Sequence, residues 1–375
     1  MNLFPVYPLF DVEPVKGQGA WLWDGQGKKY LDFYGGHAVI SIGHGHPHYV
    51  KTLTRQLKEI GFYSNSVSIP VQKQAARLLG ELSGYDHWNL FFCNSGAEAN
   101  ENAFKIASAY NGRKKILAFT HGFHGRTSLA VSATDNPNVL FPVNEGASVV
   151  RFPLSDVDGV VREIERGDVC CVIVEGIQGV GGIHRPSEEL LTAVRTSCDA
   201  TDTVLILDEI QSGFGRSGHF FAHQEVGIVP DLISVAKGMG NGFPVGGVLI
   251  HPRFEARFGM LGTTFGGNHL AASATLVVLE VLKQEKLIQN ARIVGGWLMH
   301  ELHKFSSIKE IRGKGLMIGL EFDHPVKEIR NTLLYEHQVF TGSSSNPNVL
   351  RLLPPLNIST NELEFFLNAL RKVIS

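Results

Sequence analysis

The chain has no stretch approaching the roughly 20 uninterrupted apolar residues that a bilayer-crossing helix needs, so no membrane span is expected. It has no block of basic residues and a formal net charge of −2, which leaves nothing to capture nucleic acid or an anionic lipid surface. The opening MNLFPVYPLF lacks a basic segment followed by an apolar run and a small-residue cleavage site. No signal peptide is therefore expected, and the reading is a cytoplasmic protein. Cysteines number only four: Cys93, Cys170, Cys171 and Cys198. Three of them lie in apolar, strand-like runs, which suits buried reduced thiols better than a disulfide framework. Adjacent Cys170 and Cys171 should point to opposite faces of a strand, an arrangement for packing and not for metal binding. Internal repeats and low-complexity segments are also missing.

What remains is an ordinary globular composition, 43% hydrophobic and 19% charged over 375 residues, enough for two or three domains or one large domain with a satellite. Apolar runs rich in Val, Ile and Leu occur at 89–94, 115–119, 169–175, 203–209, 231–237 and 245–250. They mostly do not alternate with polar residues, which is how strands covered on both faces read. Helical patterns fall between them at 71–82, 96–110, 187–200 and 268–283. The alternation predicts an α/β fold with a mainly parallel central sheet and helices on both faces. WLWDGQGKKYLDF reads as a hairpin turning on Asp24, Gly25 and Gly27, and a strand (KGLMIGLEF) and a final amphipathic helix lie near the other end. We expect a large domain over 46–284 and a smaller α+β domain assembled from both chain ends, 1–45 and 285–375.

Three strand candidates end in ionisable groups: Glu175, Asp208 and Lys237. Each alone reads equally well as the first solvated residue after a strand. Together, at the ends where parallel sheets bind ligands, they read as a site. A partly desolvated lysine has a depressed pKa and can form a Schiff base with an aldehyde. Five glycines follow Lys237 within ten residues and would let a planar cofactor approach the backbone. An aspartate at a strand end can pair with a protonated pyridine nitrogen and keep that ring an electron sink. The combination points to pyridoxal phosphate. That cofactor needs an anion site, and FFCNSGAEANENAFKIA offers one: a strand ends at Asn94, and Ser95-Gly96-Ala97 turn into a helix whose free N–H groups favour an anion.

Two other motifs read differently. GFGRSG (213–218) matches a dinucleotide-binding pattern, yet it follows Asp208-Glu209-Ile210-Gln211 and does not open a helix after a first strand, so nicotinamide binding is not expected. GHGHPH places three histidines around a proline with no thiolate or acid in the run, a poor tetrahedral zinc site. No metal is expected.

GGHAVISIGHGHP, FFCNSGAEANENAFKIA, FHGRT, VIVEGIQGVGG, VLILDEIQSGFGRSGHFFA, PDLISVAKGMGNGFPVGG, GTTFGGNHLA and VLRLLPPL resemble, in order, the blocks of the class III pyridoxal-phosphate aminotransferases. The resemblance spans nearly the whole chain, and the acetylornithine and succinylornithine branch is nearest. It implies a fold-type I homodimer. Lys237 would be the Schiff-base lysine, Asp208 the partner of the pyridine nitrogen, Gln211 a donor to the ring's phenolic oxygen and Phe123 the stacking ring. Ser95, Gly96 and Ala97 would hold the phosphate, joined by the partner subunit's Thr264. Arg351 resembles the family's binder of a substrate α-carboxylate, Arg126 its second carboxylate contact, and Tyr7 a tyrosine near the substrate. The implied activity moves the δ-amino group of an N-acylornithine to 2-oxoglutarate, as in arginine biosynthesis. Ornithine, 4-aminobutyrate and glutamate-semialdehyde enzymes remain rivals, as does a non-enzymatic scaffold.

The chain departs from the family block VEPxQGEGG: Gly176 replaces the proline, and Val180 replaces the second glutamate, which in the family silences the carboxylate-binding arginine. An unmasked Arg351 would favour a donor bearing an additional carboxylate, because an unpaired buried charge is costly.

Overall fold

The computed structural model describes residues 1–374. At its centre is a seven-stranded sheet in the order Asn89–Cys93, Gly246–Ile250, Leu232–Val235, Val204–Asp208, Val169–Glu175, Lys115–Phe119, Val149–Phe152. Six strands share one direction, and Gly246–Ile250 alone runs against both its neighbours. All residues of Val169–Glu175, Val204–Asp208 and Leu232–Val235 are buried, as unbroken Val/Ile/Leu runs demand of strands covered on both faces. On one face Ala99, Ala103, Phe104 and Ala107 of helix Gly96–Asn111 pack over Ile116, Ile173 and Ile206. On the other, Val160 and Ile164 of Val157–Glu165 and Leu190, Leu191 and Val194 of Glu188–Thr201 cover Leu117, Val172 and Leu205.

The six expected strands and four expected helices of this region lie within two residues of their expected bounds. A seventh strand, Val149–Phe152, escaped the sequence reading because it is four residues long, half-buried throughout and at the sheet's edge. One expectation fails. The pairing shifts between Lys115↔Val169 and Ile116↔Cys171, which makes Cys170 the extra residue of an irregular step. Cys170 and Cys171 therefore both sit in the layer beneath helix Gly96–Asn111, not on opposite faces. All four cysteines are buried and free.

The chain ends meet. Trp21–Asp24 and Lys29–Asp32 form the expected hairpin, with Asp24 Oδ1 accepting from the Gln26 and Lys28 amides at 3.0 and 2.9 Å and Gly27 at φ +82°. Val339–Phe340 then adds in parallel to Leu31 and Asp32. A second small sheet joins Glu310–Lys314, Met317–Glu321, Val349–Leu352 and Gly342–Ser343. Among the described residues no helix is long and apolar enough to cross a membrane.

Helix Leu287–Leu302 lies so close to the turn at Gly315 that a Cβ on Gly295 would overlap the Gly315 carbonyl. Gly295→Ala should therefore destabilise the protein by about 1–3 kcal/mol through overpacking. Chemical denaturation checks this, and an unchanged midpoint would show that the helix does not sit this close.

Candidate functional site

Neighbouring strand ends bring the ionisable groups together. Glu175 and Asp208 are direct register partners, and Asp208 in turn pairs with Ser234 of the next strand. Beyond Val235 the chain leaves the sheet, and Lys237 begins a single 3₁₀ turn with φ at +47°. That left-handed backbone costs roughly 1–2 kcal/mol for a residue with a Cβ. The side chain lines a cavity of about 240 Å³ together with Phe123, Asp208, Gln211 and the Gly96-Ala97 turn. Burial pushes the Lys237 amine down to about 8, against the opposing pull of Asp208 and Glu175 and with help from Arg351.

Two of the five glycines after Lys237 have a packing role that the sequence did not suggest. None of them lines the cavity. A Cβ on Gly246 would press on the Ser95 carbonyl at 2.7 Å, and one on Gly247 on the Phe91 carbonyl at 2.9 Å. These two let the reversed strand pack against the Ser95 turn.

Asp208 is buried, and three donors hold its carboxylate. Oδ2 accepts from Asn100 Nδ2 at 2.9 Å and from His124 Nδ1 at 2.8 Å, while Oδ1 accepts from the Ile210 amide at 3.1 Å. A buried carboxylate without such partners would cost several kcal/mol. Asn100 also donates to the His124 carbonyl at 2.7 Å, which fixes the pair as a unit. Asn100 and His124 are the residues the sequence reading left without a role. The available signals were an asparagine on the buried face of an alanine-rich helix and the histidine inside FHGRT.

Glu175 ties two loops. Oε1 accepts from the Phe123 amide and Oε2 from the Gly179 amide, each at 2.9 Å. Burial pushes this carboxyl up to about 7, with Asp208 adding to the shift and His124 and the two amides opposing it. A Cβ on Gly179 would overlap Gln211 Oε1, so a side chain there would displace the Gln211 amide from its present place. Gln211 Nε2 donates to the His37 carbonyl at 3.1 Å, and Gln211 Oε1 accepts from Arg351 Nη1 at 3.4 Å. Gly176 also has a local reason: a Cβ there would meet Glu209 Oε1 at 2.7 Å, and its amide donates to the Asp208 carbonyl at 3.2 Å, a bond that proline could not make.

The anion site is a helix N-terminus. Ser95 caps Gly96–Asn111, its Oγ accepting from the Glu98 amide at 3.2 Å. Gly96 and Ala97 occupy the first turn, whose amides have no acceptor within the helix. Arg351 is 2% exposed, donates through Nε to the Ser343 carbonyl, and has no carboxylate within ion-pairing distance among the described residues. Burial lowers its pKa to about 10. Val180 lines the cavity with its carbonyl held by the Ser345 amide at 2.8 Å, and exposed Arg126 lines the cavity too. Thr264 and Tyr7 are exposed and lie outside the cavity lining of this single chain. The three histidines of GHGHPH go to three separate carboxylates, Asp32, Glu285 and Glu280, each at 2.8 Å.

The arrangement offers a reactive amine, a fixed negative charge, an aromatic wall and an anion cradle around one cavity, with buried Arg351 outside the lining and bonded to Gln211, which lines it. A family model for class-III aminotransferases matches residues 6–374. The chain is 39% identical to the acetylornithine aminotransferase of Bacillus subtilis, over 100% of this chain and 98% of that one. It is 37% identical to the acetylornithine aminotransferase of Methanocaldococcus jannaschii, over 99% and 95%. The ornithine aminotransferase of Toxoplasma gondii superposes with a TM-score of 0.93 at 29% identity, over 99% of this chain and 92% of that one. A second structure of that enzyme, at 30% identity and a TM-score of 0.92, covers the same shares and holds PLP at partial occupancy in its active site.

The depressed pKa of Lys237 has a measurable consequence. In enzyme stripped of cofactor, borohydride trapping of an aldehyde on Lys237 should rise with pH through about 8, because only the neutral amine attacks. Peptide mass spectrometry at a series of pH values reads this out. A rise only above pH 10 would show that the amine is not desolvated.

Proposed function

The chain belongs to the class-III aminotransferases, and from that premise we propose that it moves the δ-amino group of N-acetylornithine to 2-oxoglutarate, yielding N-acetylglutamate semialdehyde and glutamate. This is a step of arginine biosynthesis, carried out by a cytoplasmic homodimer. Pyridoxal phosphate is the cofactor. The observation that carries the reading is Lys237, a desolvated amine beside an aspartate that three donors hold in place.

The residues fit that cofactor. Lys237 is the amine for its aldehyde, Asp208 the charge for its ring nitrogen, Gln211 the donor for its phenolic oxygen and Phe123 the flat wall. Ser95, Gly96 and Ala97 supply donors for its phosphate, with the partner subunit's Thr264 completing the cradle. When bound, the cofactor supplies an electron sink for the pair released at the donor's amine-bearing carbon. The protein's own share is positional and protonic. The Lys237 amine, once displaced by the donor's amine, would take the proton from that carbon and give it to the carbon that carried the cofactor's aldehyde, as base and then acid, and its proximity would supply much of the rate. Asp208, held by Asn100 and His124, needs no reorganisation as charge develops. Arg351 receives a substrate α-carboxylate, and Arg126 the far carboxylate of 2-oxoglutarate. Tyr7 is the residue that the family likeness sets near the substrate, although it stands outside the cavity lining of this single chain.

A second reading rests on Val180. With no glutamate there, Arg351 stays unmasked and suits a donor with an extra carboxylate, which makes N-succinylornithine the competing donor.

Steady-state kinetics with acetylornithine, succinylornithine, ornithine and 4-aminobutyrate against 2-oxoglutarate decide among these. The highest kcat/KM with acetylornithine supports the first reading and with succinylornithine the second; a preference for ornithine or 4-aminobutyrate sinks both. Lys237→Ala should abolish turnover, and Asp208→Asn should lower kcat by about 100-fold or more. Val180→Glu should depress use of the succinyl donor if Arg351 is the reason for it.

A further inference from the structure

GFGRSG resembles a phosphate-binding loop in letters only. Phe214, Gly215 and Gly218 take φ of +55°, +90° and +84°, and this left-handed path turns Arg216 inward. Arg216 is 2% exposed, among the largest fully buried side chains of the chain. No carboxylate bonds to it. Nη1 donates to the carbonyls of Pro354 and, at 3.2 Å, Leu316, and Nη2 donates to the Ile40 carbonyl at 3.4 Å. Its own backbone carbonyl accepts from the Leu316 amide at 2.9 Å. Asp32 supplies a countercharge through space, and burial lowers the guanidinium to about 9. A buried charge satisfied only by carbonyls is costly to maintain, and those carbonyls come from three distant segments.

Each segment is tied to Arg351 or to Gln211. Pro354 lies three residues beyond Arg351, whose strand pairs with Met317–Glu321 directly after Leu316. Ile40 closes the turn 35–38, whose four residues all have φ between +54° and +67° and whose His37 carbonyl accepts from Gln211. Gln211 in turn accepts from Arg351. Arg216 stands five residues after Gln211 on the same loop, so the guanidinium closes a ring running from Gln211 through Arg351 and Pro354 back to Gln211.

We propose that Arg216 is a positioning residue that fixes Arg351 relative to Asp208 and Lys237, and so sets affinity for the substrate carboxylate without touching substrate or cofactor. The proposal rests on the aminotransferase reading. Lysine at 216 keeps the charge but cannot span three carbonyls. In Arg216→Lys holoenzyme, KM for 2-oxoglutarate should rise about tenfold or more, with kcat within about threefold and an unchanged visible absorption of the bound cofactor. Amide hydrogen exchange should quicken in 314–318 and 349–355 and stay slow in 204–208 and 232–235.

Four outcomes decide against the idea. Unchanged KM, or exchange that rises equally in all four segments, overturns it. Failure of Arg216→Lys to fold assigns the residue to general stability and also overturns it. Loss of kcat with unchanged KM places Arg216 on the cofactor side, contrary to the proposal. Wild-type enzyme inactive with 2-oxoglutarate would instead refute the underlying reading, while the exchange pattern would still test the latch on its own.

Discussion

The site depends on a carboxylate that cannot move. Asp208 sits at the end of a fully buried strand with Asn100 and His124 on one oxygen and a backbone amide on the other. Removing an anion from water is tolerable only when fixed donors replace the solvent, and that requirement fixes what surrounds it. Helix Gly96–Asn111 must lie where Asn100 reaches the strand end. The same placement puts the helix's first turn, with its unsatisfied amides, at the cavity. One packing decision thus delivers both the negative charge and the anion cradle.

Lys237 shows the converse. Its amine is pushed toward neutrality because burial outweighs the attraction of Asp208 and Glu175. A surface lysine at the same strand end would stay charged and inert at neutral pH. The positive φ that turns it into the cavity is backbone strain at the reacting residue, held by a strand on one side and by glycine-dependent packing on the other.

The central sheet was readable because its strands are covered on both faces, which writes them as uninterrupted apolar runs. Lys237, Asp208 and the Ser95 turn stood out because they stand at the punctuation between such runs, whereas Gln211 came forward only through the family resemblance. Val149–Phe152 was not, since an edge strand of four half-buried residues carries neither signal. The step at Cys170 was hidden because a pairing irregularity is set by two strands at once and by neither sequence alone. Asn100 and His124 were visible as letters but not as partners: they are 24 residues apart and 108 and 84 from Asp208, and only the layering of helix on sheet joins them. The glycine run after Lys237 was only partly legible for a related reason. A missing side chain announces a close approach without saying what approaches.

Charged groups of both signs meet at the cavity. Arg126, Arg351 and Lys237 line or border it, against Asp208, whose charge is committed to its three donors, and Glu175, which burial pushes up to about 7. Arg351 meets only the oxygens of Gln211 and Ser343. In a family that ordinarily sets a glutamate against this arginine, valine at 180 removes an internal competitor for whichever carboxylate arrives. The cost is a buried cation bonded only to neutral oxygens. The short ties around it, Gly179 against Gln211 and Gln211 against His37, hold those oxygens in place until a carboxylate displaces the need for them. If Arg351 takes the substrate carboxylate as proposed, discrimination between substrates would turn on how many carboxylates each presents and where.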